Sequence, residues 1–149
     1  MTNTTGTTER KTRTITLTGR PPVRIVEDDW PVVAQATGKA YEGEFEFQSN
    51  RTTRMAIRVR QHADGRTIVY ATYDYDTRWQ HERCRQYKAG EMFPVNGADA
   101  GRIGDTEPII AAINRVASEM AGLVGDGPGG LSFRDLAREC IADLPAVEL

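Results

Sequence analysis

Cysteine, histidine, net charge and long apolar runs are all scarce in this chain, and each shortage closes off a class of protein. Only Cys84 and Cys140 carry thiols among 149 residues. They lie far apart, and the N-terminus lacks the apolar core of a secretory signal, so we expect two reduced thiols in a cytosolic protein. No apolar run approaches the ~18 residues needed to span a bilayer, which argues against a membrane protein. The net charge of −2 supplies no global field for nucleic acid. The two histidines, His62 and His81, join Cys84 in no complete zinc set, which needs three or four ligands at suitable spacing. No metal and no cofactor are expected. Cys84 with His81 and Asp74 or Asp76 is the one conceivable nucleophile set, and no glycine-rich elbow or oxyanion loop supports it. We expect no enzyme, and keep a small enzyme using Cys84 and His81 as an alternative. Gly125–Gly130, GDGPGG, fits G-x-G-x-x-G in letters only: a helix precedes it and Pro128 removes an amide, so it reads as a linker.

What is present is an ordinary globular composition, 39% hydrophobic and 27% charged, in a length that fits one domain. Residues 1–12 are rich in Thr and charge and hold no core-forming side chain; they read as a disordered tail. Residues 13–149 read as a single α+β domain. Charge is laid out in blocks. Residues 1–25 carry a local +4 and residues 26–50 a local −5. Residues 51–90 hold nine Arg or Lys against four acids, and residues 91–149 return to −6. Within one fold, such blocks by default neutralise each other; otherwise they mark faces with separate partners.

Periodicity places the elements. TITLT at 14–18 and Val23–Val26 read as short strands separated by Gly19-Arg20-Pro21-Pro22. In EDDWPVVAQATG, an aspartate cap, Pro31 and a closing Gly38 suggest a short helix, although Val32-Val33-Ala34 suits a strand equally. YEGEFEFQ at 41–48 alternates Tyr41, Phe45 and Phe47 against Glu42, Glu44 and Glu46. RMAIRVRQ at 54–61 alternates Met55, Ile57 and Val59 against Arg54, Arg58 and Arg60. Asp64-Gly65 then signals a hairpin, RTIVYATYDY is its partner strand, and a fourth strand is expected through Glu82–Lys88. Gly90 to Gly104 reads as loop. TEPIIAAINRVASEMAGL and SFRDLARECIADL are amphipathic helices, the second capped by Ser132. The fold class is α+β: a three- to four-stranded antiparallel meander covered by two C-terminal helices.

A two-residue Asp64-Gly65 loop sets Val59 opposite Tyr70 and Ile57 opposite Thr72. The core face is then Met55, Ile57, Val59, Ile68, Tyr70 and Thr72. The outer face carries Arg54, Arg58, Arg60, Val69, Ala71, Tyr73 and Tyr75. Arginines interleaved with tyrosines suit protein hot spots, and they also suit stacking and phosphate contacts to single-stranded nucleic acid. The candidate binding residues are Arg58, Arg60, Tyr73, Tyr75, Trp79, Arg83 and Arg85; the parity of the fourth strand decides the last two. If Phe45 faces Ile57, Glu44 and Glu42 oppose Arg58 and Arg60 and neutralise them.

ITLTGRPPVRIVEDDWPV and RVRQHADGRTIVY resemble small uncharacterised accessory proteins of proteobacterial plasmids and integrated mobile elements. The resemblance covers about the first two-thirds of the chain and carries no catalytic motif, so no site residue transfers. It implies a setting: small proteins of such elements are often binders that act on host machinery, as anti-CRISPR or anti-restriction inhibitors of host defence do. The Arg/Tyr/Trp concentration at 54–60 and 73–87 leads us to expect a non-catalytic cytosolic protein that binds a partner protein or nucleoprotein complex. The alternative is single-stranded nucleic-acid binding by the Arg/Tyr face.

Overall fold

The computed structural model describes residues 10–42, 51–77, 85–93 and 106–146. Two short strands, β1 (Thr12–Ile15) and β2 (Val23–Val26), pair antiparallel as a ribbon. A 3-10 turn at Glu27–Asp29 leads into β3 (Val32–Glu42). Strands β4 (Arg51–Gln61), β5 (Thr67–Thr77) and β6 (Arg85–Phe93) follow, giving an antiparallel sheet in the order β3-β4-β5-β6. Helices α1 (Thr106–Val124) and α2 (Phe133–Ala142) complete the chain. This is the expected α+β architecture. Of the tail expected at 1–12, residues 10–12 are placed: Arg10 pairs with Asp29, Lys11 O accepts from Glu27 N at 2.9 Å and Thr12 opens β1. Residues 1–9 and the segments around Glu44, Trp79 and Asn96-Gly97 fall outside the described residues.

The segment expected to be a short helix is a strand. Along β3, Ala34 and Ala36 are buried toward the helices while Gln35, Thr37, Lys39 and Tyr41 alternate with them. Small inward residues hide the period of two, and β-branched Val32, Val33 and Thr37 favour the extended chain. Pro31 lends its carbonyl to Gln61 N at 3.1 Å instead of opening a helix. The register then shifts between Val32 and Ala34, a bulge near the edge of the sheet. β3 is an edge strand, and Asp143 at the end of α2 blunts it by accepting from Gln35 N at 2.9 Å.

The hairpin register also differs from expectation, by one residue. His62 N donates to Arg66 O at 2.8 Å and Gly65 N donates to His62 O at 2.9 Å. The loop is therefore Ala63-Asp64-Gly65, a three-residue connection closed by Gly65 at φ 95. Asp64 stabilises it by accepting from the backbone and side chain of Arg66 at 3.0 and 2.8 Å. Val59 consequently faces Val69, Ile57 faces Ala71 and Met55 faces Tyr73. The extra loop residue turns every β5 side chain to the opposite face from the one read in the sequence.

One core lies between the sheet and the helices. Met55, Ile57, Val59, Val69, Ala71 and Tyr73 pack there against Ile109, Ile113, Val116 and Met120 of α1 and against Phe133, Leu136 and Cys140 of α2. Ile109, Ile113, Val116 and Met120 recur at helical spacing and pack, while Leu123, next in the same series, is 47% exposed. Ser132 caps α2 as expected, accepting from Arg134 N at 3.1 Å. A smaller core lies on the opposite sheet face, where Ile15, Leu17, Ile25 and Trp30 cover Ile68 and Tyr70. Leu17 reaches this position because Gly90 is bare: a Cβ at residue 90 would stand 2.5 Å from Leu17 Cδ2 and 3.1 Å from Val69 O. Gly90 thus belongs to β6, which runs on to Phe93 where a loop was expected. No helix among the described residues is long and apolar enough to cross a membrane.

Candidate functional site

The ribbon covers only one end of the outer sheet face. Cross-strand register builds the remainder row by row: Gln35–Arg58–Tyr70, then Thr37–Ala56–Thr72, then Lys39–Arg54–Asp74. Tyr41 continues the same face of β3 and is 63% exposed. A shallow open depression of about 460 Å³ follows these rows, lined by Thr37, Lys39, Arg54, Arg58, Thr72 and Asp74. Arg54 lies 3.6 Å from Asp74. Arg58 Nε donates to the Gln35 side-chain oxygen at 3.2 Å, a neutral acceptor.

Beside this depression, where the ribbon meets the sheet, lies a tighter cleft of about 190 Å³. Arg13, Arg58, Arg60, Tyr70 and Thr72 line it. Arg60 is 8% exposed, with Nε donating to Tyr70 Oη at 2.9 Å and Nη1 donating to Trp30 O at 3.0 Å. Both acceptors are neutral. Arg13 instead pairs with Glu27, which also lies 3.6 Å from Lys11. The hydrogen bond from Arg13, with the positive charge of Arg13, Lys11 and Arg60, holds the Glu27 carboxyl below its ordinary pKa. Trp30, whose carbonyl holds Arg60, is itself fixed: His62 meets its ring edge-on at 5.2 Å and the Arg66 guanidinium lies 5.1 Å above it.

These positions correct the expected site. Tyr73 is 6% exposed in the helix-side core and Tyr75 packs against its margin; their rings meet edge-to-face at 6.2 Å. Neither belongs to the outer face, because the longer hairpin loop turned β5 over. Tyr70, expected in the main core, lies under the ribbon and holds Arg60. Arg58 and Arg60 do share the outer face, as expected. The expected neutralisation fails: Arg58 stands opposite Gln35 and Arg60 opposite Val32, while Glu42 stands opposite Arg51. β3 begins nine residues before the strand read at Tyr41, so other side chains occupy those positions. Trp79, Arg83, His81, Cys84 and Glu44 fall outside the described residues, and Arg85 is placed only by its backbone, opposite Tyr75. No cluster of three potential metal ligands occurs among the described residues.

The sequence reading missed Arg13, Lys39, Tyr41 and Thr72. Lys39 and Tyr41 were legible once β3 was recognised as a strand, since they alternate with the buried alanines. Arg13 had no local signal, because only the docking of the ribbon brings it to Arg58. The lone described thiol, Cys140, is sealed under α2, where burial and then the Asp143 carboxylate push its pKa up to about 12. It is a packing residue and not a nucleophile. Comparison of the chain with protein-family models, curated proteins and solved structures gave no match.

Proposed function

We propose that this is a non-catalytic binding protein that docks an acidic surface of a partner protein on the open end of its outer sheet face. One observation carries the reading: Tyr41, Lys39, Arg54 and Arg58 share a sheet face that no described element covers, with Asp74 as the depression's one carboxylate among the described residues. Tyrosine and arginine supply large contact area and directed hydrogen bonds, which is why they dominate interface hot spots. A cationic face also steers an acidic partner into register. A host-defence nucleoprotein complex, restriction or CRISPR, fits the mobile-element setting that the resemblance suggests, with contact made to its protein component. Single-stranded nucleic-acid binding by this face loses support. Stacking of successive bases needs several exposed rings beside the arginines; among the described residues this face offers Tyr41, while Tyr73 and Tyr75 lie on the other side of the sheet.

A photo-crosslinking residue at Tyr41 tests the proposal, with the same residue at Leu123 as control. We expect nuclease-resistant crosslinks to one host protein from position 41 and none from position 123. Lys39→Glu with Arg54→Glu should abolish them. Equal crosslinking from both positions, or crosslinks that disappear with nuclease, would refute the docking face.

A further inference from the structure

Arg60 is a buried cation without an ion-pair partner among the described residues. Its two printed bonds go to a phenol oxygen and a backbone carbonyl. A guanidinium has five N–H donors, so three are left over, including both on Nη2. Burying an uncompensated charge costs several kcal/mol, and a fold tolerates this where another group supplies the counter-charge. Arg58, in the same cleft, likewise bonds only to a neutral amide oxygen. Glu27 feels the charge of Arg60, yet Arg13 and Lys11 engage its carboxylate directly. Three cations, Arg13, Lys11 and Arg60, thus act on one carboxylate, and Arg58 adds a fourth positive charge to the cleft.

We propose that the cleft between the ribbon and the sheet is an oxyanion site that takes the phosphate group of a small phosphate monoester. Arg60 and Arg58 supply the charge, with planar donor forks that match a tetrahedral oxyanion. Tyr70 completes the site from below. Its oxygen accepts from Arg60 Nε, which leaves its own proton free to donate. Thr72 and Thr14 add hydroxyls on the walls. The volume selects the ligand. About 190 Å³ is smaller than the ~300 Å³ at which drug-sized pockets begin, so the cleft admits one anionic group and a short stem rather than a base and its sugar. The site shares Arg58 with the docking face, whose Lys39 and Arg54 lie farther along and do not line the cleft.

NMR titration of the arginine Nε–Hε signals at constant ionic strength tests it, using inorganic phosphate and glycerol phosphate, with chloride and acetate as controls. We expect saturable shifts of Arg60 and Arg58 with a phosphate probe only. Arg58→Gln should weaken binding about tenfold or more, the loss expected for charge-assisted hydrogen bonds. Tyr70→Phe should weaken it less, and Arg60→Lys should abolish it. The Ile57 and Val59 methyl signals report whether each variant keeps its core; if Arg60→Lys does not, Arg58→Gln and Tyr70→Phe decide. Tighter binding of glycerol phosphate identifies an ester as ligand, and tighter binding of inorganic phosphate identifies the free ion. Linear shifts, equal response to chloride, or wild-type affinity in Arg58→Gln would overturn the site. Lys39→Glu with Arg54→Glu should leave saturable binding intact, so failure here and failure of partner docking are told apart.

Discussion

Tyr73 shows how one side chain changes role with the face it occupies. On an outer surface its removal would affect binding alone. Buried between β5 and the helices, it makes Tyr73→Ala a cavity mutation, expected to cost about 3 kcal/mol or more. Chemical denaturation should show this as a lowered midpoint, and a variant as stable as wild type would contradict the register. Cys140 makes a second prediction at this scale. Its folded pKa is raised from 9.0 to about 12, so the native thiol stays protonated while an unfolded one ionises. Its contribution is fully present below about pH 9 and is lost as pH rises toward 12. The slope there approaches ~1.4 kcal/mol per pH unit. Comparing unfolding free energy between pH 8 and pH 10.5 or so in wild type and Cys140→Ala isolates it: the variant should have the shallower decline.

Two short elements carry more specification than their length suggests. The Ala63-Asp64-Gly65 loop sets the register of the whole β4–β5 pair. Gly65 sits at φ 95, where a Cβ is strained, so Gly65→Ala should cost about 1–2 kcal/mol, read from the urea midpoint at unchanged slope. Gly90 acts by space instead. A larger residue there collides with Leu17 and a backbone oxygen, so Gly90→Val should lift the ribbon from β6. Amide exchange should then speed up in β1 and β2 while β4 and β5 stay protected. Loss of protection throughout would mean the ribbon is part of the main cooperative unit.

For the molecule as a whole, the division of labour follows from coverage. Helices close one sheet face, and the ribbon closes an end of the other. The ion pairs that join β1 to the turn after β2 are acid-sensitive. Glu27 has its pKa lowered from 4.5 by Arg13, so its stabilisation is present above 4.5 and is lost as pH falls through the lower folded value. An NMR pH titration should show β1–β2 and Trp30 signals changing before those of β4. Glu27→Ala should bring that loosening to neutral pH.

Local pattern determined the helices, the strand at 54–61, its arginine face and the α+β class, because periods of 3.6 and 2 record which side of an element is buried. The Ser132 cap was equally legible, being a contact between near neighbours. The register of the β4–β5 pair, and the segment that flanks β4 on its other side, were decided only by the tertiary structure. Asp64-Gly65 is compatible with two loop lengths, and the choice between them depends on which β5 face packs against α1 and α2. β3 was obscured because alanines signal burial weakly, and with it went the neighbour of Arg58. The ribbon's docking, set by Leu17 against Gly90, then made a cleft of Arg13, Arg58 and Arg60. The sequence held all three arginines, but their convergence depends on contacts between residues more than forty positions apart.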